Sequence, residues 1–385
     1  MIREYIVTLY LFVFKILFTL CKIINLRNKV TFVISYSENN LYVYEEIMRQ
    51  NLNCKVVFQC KGKCINDFKQ TNEKVIQFET INPIHLFQSA YHLATSKVIF
   101  VDNYFGFLAS IHFKKQVECI QLWHAAGAIK TFGLKDQSIW QRSKKARKRF
   151  TQVYQKFDKV VVGSNEMAEI FKKAFGVSER NILRTGIPRT DFFYEETKKR
   201  RVVNYFKNIF GSKKVILYAP TFRDGRHENI YQDIDLKLMR EKLEAEYVLL
   251  LRLHPSIQSK MMYDLKYDGF VYDYSSWPNI NELLLITNIL ITDYSSIPYE
   301  FSQLLRPIIF FPYDLEEYQL RRGLWDDYDK LVPGPVVKTT EGIIECIQNE
   351  NYNLDHIKNF SKQWNMYSTG ISSQNIVNYI KNRLG

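Results

Sequence analysis

Two histidines follow predicted buried strands in this sequence, and each is a candidate for proton transfer. His124 comes directly after the apolar run "VECIQLW" (117–123), and the small residues "AAGA" that follow it predict an open backbone that a substrate can approach. His254 lies in "LRLHP" (251–255), where Pro255 favours an extended conformation. Imidazole titrates near neutral pH, so either ring could take a proton from an attacking hydroxyl. A lone histidine is more often a hydrogen-bonded core residue, so the assignment depends on its neighbours.

Other polar residues also follow predicted strands, and as a set they predict an anion-binding site. They are Thr221 and Arg223 in "YAPTFRDG", Arg252 in "LRLHP", Asp293, Ser295 and Ser296 in "ITDYSS", and Glu282 in the helix before that last strand. Serines at a helix start can offer hydroxyl and N–H groups to an anion, and an arginine can neutralise it. Each fragment alone is ordinary, because serine pairs usually cap helices and such arginines are usually solvated. Together they predict a diphosphate site without a P-loop or a GxGxxG motif.

The elements that position these residues are short apolar strands separated by helical patterns. Strands are expected at 30–35, 54–60, 97–102, 117–123 and 159–164, and again at 214–223, 247–255, 270–275, 288–296 and 307–314. These runs do not alternate with polar residues, so both faces of each sheet must be covered, as in parallel α/β sheets. The prediction is an α/β protein with two doubly wound, Rossmann-like domains facing a central cleft. The domains are 29–190 and 191–385, joined within "LRTGIPRTDFF" (183–193), and the last helix could pack back on the first domain.

The amino-terminal segment 1–28 and a basic run predict contact with a membrane surface. Residues 5–24 are mostly apolar and long enough to span a bilayer, but Lys15 lies among them and a strand follows closely. A helix in the membrane interface is therefore favoured over a spanning helix or one docked on the protein. The run "RSKKARKRF" could face anionic lipid or a lipid-linked diphosphate, and a solvated helix face is the alternative. Its basic residues are Arg142, Lys144, Lys145, Arg147, Lys148 and Arg149.

The bulk composition narrows the class of protein. With 385 residues, 46% hydrophobic and 24% charged, the chain is typical of a folded protein, and a net charge of +13 favours an anionic partner. Nucleic acid is not predicted as that partner, because no aromatic and basic reader motif is present. The six cysteines do not suggest a disulfide framework. Neither the cysteines nor the acidic trio Asp326, Asp327 and Asp329 predict a metal site, and assistance by a divalent cation stays open.

Seven motifs, in one order along most of the chain, resemble those of the CDP-glycerol glycerophosphotransferases of wall teichoic acid synthesis in Gram-positive bacteria. They are "WHAAGAIKTFG" (123–133), "TGIPRTDFF" (185–193), "YAPTFRDG" (218–225), "LRLHP" (251–255), "LITDYSSIPYEF" (290–301), "RPIIFFPYDLEEY" (306–318) and "RGLWDDYDKLVPGPVV" (322–337). The family usually has Trp-His-Gly in the first motif, and Ala125 replaces that glycine here. The resemblance implies a GT-B-like fold and peripheral, monotopic attachment to the cytoplasmic face of the membrane. It also implies CDP-glycerol as donor, an undecaprenyl-diphosphate-linked disaccharide as acceptor, and other teichoic acid enzymes as possible partners.

The resemblance further implies roles for individual residues. His124 would be the catalytic base that takes the acceptor proton, and His254 would act on the donor diphosphate and the departing CMP. Arg223, Ser295 and Ser296 would bind the phosphates, with Asp293 orienting them. The remaining residues assigned to substrate binding are Thr221, Arg252, Glu282 and Gly127.

Several alternatives stay open at this point. A short chain with one catalytic unit resembles the primase type, which adds the first glycerol phosphate to the ManNAc-GlcNAc linkage unit. A second-step transferase, a short polymerase and a ribitol-phosphate relative have the same motifs. A GT-B glycosyltransferase using a nucleotide sugar would share the fold and release a nucleoside diphosphate instead of CMP. A non-catalytic membrane-surface binding protein would make His124 and His254 dispensable.

Overall fold

The computed structural model describes residues 2–223, 234–253 and 267–384. These residues divide into two units. The first comprises Met1–His124, Phe132–Asp191 and Tyr367–Gly385, and the second comprises Ala125–Thr131 and Phe192–Met366. The short segment 125–131 thus belongs to the second unit, although sequence analysis grouped it with the amino-terminal domain.

A parallel sheet of seven strands lies at the centre of the first unit. Its strands are β1 (Arg27–Ile34), β2 (Lys55–Cys60), β3 (Lys74–Gln77), β4 (Ser96–Val101), β5 (Glu118–Gln121), β6 (Lys159–Val162) and β7 (Ile182–Arg184). The rings of Phe32, Phe58 and Phe100 on adjacent strands are fully buried and pack together. The strand order is β3-β2-β1-β4-β5-β6-β7, so the order reverses between β1 and β4. Open α/β sheets bind ligands at such a switch point, beyond the carboxyl ends of the strands.

Six helices precede or connect these strands in the described part of the chain. They are α1 (Ile2–Cys21), α2 (Ser37–Arg49), α3 (Ile65–Phe68), α4 (Pro83–Thr95), α5 (Lys144–Tyr154) and α6 (Asn165–Phe175). Side-chain caps begin several of them, since Asn82, Ser143 and Ser164 accept backbone N–H groups from the first turns of α4, α5 and α6. Helix α1 packs on α4 and on the turn Gly106–Ser110. Through these contacts the amino-terminal helix is part of the first unit.

The second unit contains a parallel sheet of five strands. Its strands are β8 (Lys214–Ala219), β9 (Tyr247–Leu251), β10 (Val271–Asp273), β11 (Ile289–Thr292) and β12 (Ile308–Phe310). The order β10-β9-β8-β11-β12 places a second switch point between β8 and β11. The described helices of this unit are α7 (Glu196–Phe210), α8 (Leu236–Leu243), α9 (Ile280–Ile286), α10 (Ile297–Phe301), α11 (Leu315–Arg322), α12 (Tyr328–Leu331), α13 (Thr340–Gln348) and α14 (Leu354–Trp364).

The last helix, α15 (Ser372–Leu384), belongs to the first unit. The buried carboxylate of Asp191 accepts the N–H groups of Ser372 and Ser373 at 2.9 and 2.8 Å. This is a helix cap in which a negative charge also faces the positive end of the helix dipole. Further along the helix, the Tyr379 hydroxyl donates to Glu118 at 2.6 Å. Helix α15 is thereby fixed against α2 and β4.

The prediction of parallel α/β sheets is confirmed, with differences at the strand ends. Each predicted strand overlaps an observed one, but the short strands β3 and β7 were not predicted. Most predicted strands were also too long at the carboxyl end. For example, β5 ends at Gln121 rather than at Trp123. The residues just past the strand ends are those with candidate chemistry.

Candidate functional site

The backbone of His124 is placed by the residue before it. Trp123 has a φ of +56°, in the left-handed region that bulky residues rarely adopt. Its N–H donates to Gln121 Oε1 at 2.9 Å, and its carbonyl accepts from Asn39 Nδ2 at 2.9 Å. Strain of this kind costs about 1–3 kcal/mol and persists where the surroundings over-determine it. The chain therefore bends away from the direction of β5 at His124.

The imidazole of His124 stacks on two aromatic rings, and its Nδ1 lies next to a backbone oxygen. Its ring stacks on Tyr36 with 4.2 Å between centroids and on Trp123 with 4.4 Å. Nδ1 lies 2.9 Å from the backbone oxygen of Asp102. A carbonyl oxygen can only accept, so in the neutral ring Nδ1 carries the proton and the lone pair lies on Nε2. This arrangement suits a base that accepts a proton at Nε2.

Asp102, directly after β4, connects the ends of two strands at the first switch point. Its carboxylate accepts the N–H groups of Ser35 and Tyr36 at 2.9 and 2.8 Å, and the Asn40 amide at 2.9 Å. Burial raises the pKa of Asp102 to about 7, although these hydrogen bonds act in the opposite direction. The carboxylate thereby fixes the loop after β1, which carries Tyr36, to the end of β4.

The small residues after His124 do not leave the backbone open. Ala126 and Gly127 are buried, and a Cβ added to Gly127 would lie 2.3 Å from the ring of Tyr299. Tyr299 is itself fully buried in the second unit. The close approach of this ring therefore requires a glycine at position 127. Gly127 thus has a packing role in the structure, and its contact with substrate stays a prediction.

In the second unit, Thr221 and Asp293 meet at the switch point between β8 and β11. Asp293 Oδ1 accepts the backbone N–H of Thr221 at 2.8 Å and that of Tyr294. The Thr221 hydroxyl oxygen is buried and has no hydrogen-bond partner among the described residues. A buried hydroxyl in this state can bind a ligand oxygen. The structure thus brings together two residues that lie far apart in the sequence.

Arg223 is buried beside this pair, and its charge is balanced by two aspartates. Nε and Nη2 donate to the Asp314 carboxylate at 2.7 and 2.9 Å, and Nη2 lies 2.8 Å from Asp293 Oδ2. The rings of Tyr294, Tyr313 and Tyr318 lie 4.9 to 5.2 Å from the guanidinium. Burial disfavours the charged form, but the hydrogen bonds to Asp314 and the charge of Asp293 outweigh it and raise the pKa of Arg223. This geometry favours a role in holding Asp293 and Asp314 over direct phosphate binding.

Ser295 and Ser296 follow Asp293 and precede a short helix. Helix α10 has five residues, and Ser296 is its N-cap without a side-chain cap hydrogen bond. Ser295 Oγ accepts the N–H of Ile297 at 3.2 Å. A helix of little more than one turn contributes little dipole, so any anion here would depend on hydroxyl and N–H donors.

Arg252 and Glu282 organise a loop instead of standing alone. Arg252 Nη1 donates to the backbone oxygens of Tyr274 and Trp277 at 3.1 and 2.7 Å, and to that of Ser275. Glu282 accepts the indole N–H of Trp277 at 2.9 Å. The two predicted substrate-binding residues therefore hold the segment 274–277 from opposite sides.

The basic run forms the first turns of α5 and adjoins the amino-terminal helix. Arg149 forms an ion pair with Glu4 of α1 at 3.3 Å, and Arg142 and Arg147 lie over the rings of Phe150 and Trp140. Lys144, Lys145 and Lys148 are exposed. Cations in the first turn of a helix are unfavourable next to its positive end, and an anionic surface would relieve that repulsion.

His254 lies outside the described residues. Within the described ranges, no group of three or more His, Cys, Asp or Glu side chains could hold a metal ion. Asp326 and Asp327 of the acidic trio both pair with Lys330.

Sequence reasoning missed four residues that shape the site: Tyr36, Asn39, Asp102 and Asp314. Asp102 and Asp314 are the last residues of predicted strand segments, so they could have been found as acidic residues that follow an apolar run. Asn39 gave none, because its contact with Trp123 joins residues 84 positions apart. The motif 322–337 also has a packing role that could not be predicted from the sequence. The backbone N–H of Trp325 donates to Ile129 O at 3.1 Å and helps hold the segment 125–131.

Comparison with known proteins gives consistent matches along the whole chain. A family model described as CDP-Glycerol:Poly(glycerophosphate) glycerophosphotransferase matches residues 16–382. The chain is 40% identical to the teichoic acid glycerol-phosphate primase of Bacillus subtilis (strain 168), over 99% of each chain. It is 34% identical to the teichoic acid poly(ribitol-phosphate) polymerase of Bacillus spizizenii, over 92% of this chain and 56% of that protein. A solved structure of the wall teichoic acid polymerase TagF, at 23% identity, superposes with a TM-score of 0.80, covering 100% of this chain and 98% of that chain. The predicted GT-B-like α/β fold is thereby confirmed.

Proposed function

The chain belongs to the CDP-glycerol:poly(glycerophosphate) glycerophosphotransferase family, and from this premise we propose that it adds the first glycerol phosphate in teichoic acid synthesis. The donor is CDP-glycerol, the acceptor is ManNAc-GlcNAc diphospho-undecaprenol, and CMP is released. The observation that carries the proposal is the 40% identity to a glycerol-phosphate primase over 99% of both chains.

His124 serves as the base in this proposal. Nε2 takes the proton of the acceptor hydroxyl while the hydroxyl oxygen bonds to the β-phosphorus of CDP-glycerol. The bond from that phosphorus to the bridging oxygen breaks, and its electron pair leaves on CMP. The support for this role is the hydrogen bond from Nδ1 to Asp102 O, which leaves the lone pair on Nε2.

The second unit supplies the donor side in this proposal. Thr221, Ser295 and Ser296 offer hydroxyl and backbone donors to the diphosphate, and Asp293 orients them through the Thr221 N–H. Arg223 acts one step away, by fixing Asp293. Arg252 and Glu282 shape the loop 274–277. His254 would protonate or stabilise the departing CMP. Phosphoryl transfer depends mainly on such alignment and charge stabilisation.

We also propose that the protein is peripheral on the cytoplasmic face of the membrane, with α1 lying in the interface. The helix is long and apolar enough to cross a membrane. However, Phe14, Phe18 and Cys21 are buried, and Arg149 pairs with Glu4, so one side of α1 is attached to the first unit along its length. These contacts support an in-plane helix, with α5 as a basic neighbour for anionic headgroups.

The test is transfer from radiolabelled CDP-glycerol to a short-chain analogue of the lipid-linked disaccharide, read by product mass and CMP release. We expect one glycerol phosphate added by the wild type and a loss of at least about 100-fold in His124→Ala and His254→Ala, since each removes a group acting in the transition state. His112→Ala and His356→Ala change exposed histidines of the two units and serve as matched controls.

Other products would lead to other conclusions. A ladder of additions would make the protein a polymerase, and turnover of CDP-ribitol alone would make it a ribitol-phosphate transferase. Release of a nucleoside diphosphate from a nucleotide sugar would identify a glycosyltransferase. Full activity in both histidine variants would reject the assigned chemistry.

A further inference from the structure

We propose that Asp102 and Tyr36 are positioning residues that hold the imidazole of His124 in the tautomer and orientation of a base. This inference rests on the proposed function, because it assumes that His124 takes the acceptor proton. All of the contacts on which the inference depends lie within the first unit.

The first contact fixes the proton on the ring. Nδ1 of His124 lies 2.9 Å from the backbone oxygen of Asp102, which can only accept a hydrogen bond. Unconstrained neutral histidine prefers the proton on Nε2, where it would block proton abstraction by that nitrogen. The Asp102 carbonyl selects the opposite tautomer.

The second contact fixes the plane of the ring. Tyr36 stacks on His124 with 4.2 Å between centroids and 20° between planes, and Trp123 stacks on His124 with 4.4 Å and 29°. Trp123 is fixed in turn by the rings of Phe132, Phe171 and Phe175. Among the described residues Tyr36 has no such aromatic cluster around it, so its ring is placed by the backbone that carries it.

That backbone is held by the carboxylate of Asp102. Oδ2 accepts the Tyr36 N–H at 2.8 Å and the Asn40 amide at 2.9 Å, and the same Asn40 amide donates to Tyr36 O at 2.8 Å. Asp102 thus acts on His124 twice, through its carbonyl at Nδ1 and through its carboxylate by way of Tyr36. This is possible because β1, β4 and β5 lie side by side at the switch point.

The exposure of Tyr36 argues against a purely structural role. Its side chain and backbone are together 44% exposed, whereas the core aromatics of the neighbouring strands, such as Phe32, are fully buried. Removing the Tyr36 ring should therefore cost little stability. A loss of activity on its removal would then reflect the placement of His124.

The first experiment measures the tautomer directly, without activity. In protein labelled with ¹⁵N-histidine, the ring signals of His124 are assigned by their absence in His124→Ala among the seven histidines. We expect the neutral ring of the wild type to carry its proton on Nδ1. In Tyr36→Ala and Asp102→Asn we expect a mixture with the Nε2–H form, and in Tyr36→Phe the wild-type signals, since the stack is preserved.

The second experiment measures kcat and KM with CDP-glycerol and the acceptor analogue. Because a displacement of about 1 Å can cost about 100-fold in rate, we expect Tyr36→Ala to lower kcat by about 10- to 100-fold with little change in KM. Tyr36→Phe should match the wild type. Met48→Ala, on the helix α2 that follows Tyr36 and with 47% exposure, is the matched control.

The outcomes separate this inference from the proposed function. Full activity in His124→Ala would reject His124 as the base and with it both proposals. An inactive His124→Ala together with unchanged kcat and tautomer in Tyr36→Ala would overturn the positioning role alone. Equal losses in Tyr36→Phe and Tyr36→Ala would overturn it too, because the hydroxyl and not the stack would then matter. If Asp102→Asn does not fold, the Tyr36 variants still decide the question.

Discussion

The positively charged side chain of Arg223 is buried, and the residues that contact it indicate what it does. It bridges Asp293 and Asp314, which come after β11 and β12, and three tyrosine rings surround it. Two buried carboxylates without this arginine would repel each other in a medium that screens poorly. At the scale of single residues, Arg223, Asp293 and Asp314 therefore stabilise the local structure near the switch point without any substrate.

Replacing Arg223 by Gln should destabilise the protein strongly. Breaking a buried ion pair by removing one partner costs about 3–5 kcal/mol, because the other charge is left uncompensated. Adding Asp314→Asn in the same chain should restore part of that loss, measured as the free energy of unfolding in urea. Arg321→Gln, in an exposed pair with Glu317, is the control and should change little. Unchanged stability with a higher KM for CDP-glycerol would instead support direct phosphate binding by Arg223.

Asp102 should give the protein a measurable pH dependence of stability. Its pKa rises from an ordinary 3.8 to about 7 in the fold, mainly through burial. A folded-state pKa above the unfolded value means that the folded state binds this proton more tightly, so the contribution of Asp102 to stability falls as pH rises from about 4 to about 7. The difference in unfolding free energy between wild type and Asp102→Asn should shrink over that range. A constant difference across it would contradict the prediction.

At the scale of elements, α1 has three distinct faces. Phe14, Phe18 and Cys21 face the first unit and are buried. A polar strip runs beside them, and an exposed apolar face lies beyond it. The strip is Thr8, Lys15 and Thr19, and the exposed apolar residues include Tyr5, Leu9, Phe12, Ile16 and Leu20. A spanning helix needs apolar residues on all sides, whereas this one has a polar boundary suited to an interface.

Charges placed on the apolar face of α1 should weaken binding to vesicles that contain anionic lipid. We expect Leu9→Glu with Phe12→Glu to lower the bound fraction at least about tenfold in a sedimentation assay, because apolar burial drives the insertion of such helices. Thr8→Glu with Thr19→Glu makes the same charge change on the polar strip and should bind more like the wild type. Equal losses in both double variants would indicate that only net charge matters.

The strands could be predicted from the sequence, whereas the contacts around His124 could not. Buried strands such as 97–102 are recognised by their unbroken apolar runs. Asp102 and His124 lie where two of these runs end. The left-handed conformation of Trp123 could not be predicted, since it depends on the neighbouring Gln121 side chain together with Asn39, which lies 84 positions away. The packing role of Gly127 could not be predicted for a related reason. A glycine required by a distant ring such as Tyr299 looks the same in sequence as one required by a substrate.

At the scale of the whole molecule, the first unit is built from both ends of the chain. Helix α15 follows the second unit in sequence and is fixed by Asp191 and Glu118. Both carboxylates precede Phe192, where the long segment of the second unit begins. The first unit therefore does not correspond to one continuous stretch of sequence.

Replacing Asp191 by Ala should weaken the attachment of helix α15 to the rest of the first unit. Two buried N–H groups of α15 would lose their acceptor, which costs about 1–3 kcal/mol for a buried unsatisfied group. Thermal unfolding should show a lower Tm, and hydrogen exchange should rise in 372–384 before it rises in β1. Asp329→Ala removes an exposed carboxylate and should leave both readings unchanged. Uniform exchange changes throughout the first unit would contradict a local capping role.

Helix α15 packs on the first unit but is synthesised after the second, so the first unit cannot be completed before the second unit has been made. All seven strands of the first sheet have been synthesised once Arg184 is made, but Ser372 follows about 190 residues later. At bacterial rates up to about 20 residues per second, that interval lasts roughly ten seconds or more. During it, the surfaces of α2 and β4 that α15 later covers face the solvent or a chaperone. A nascent chain stalled before residue 372 should therefore be more prone to aggregation and proteolysis than one released at full length.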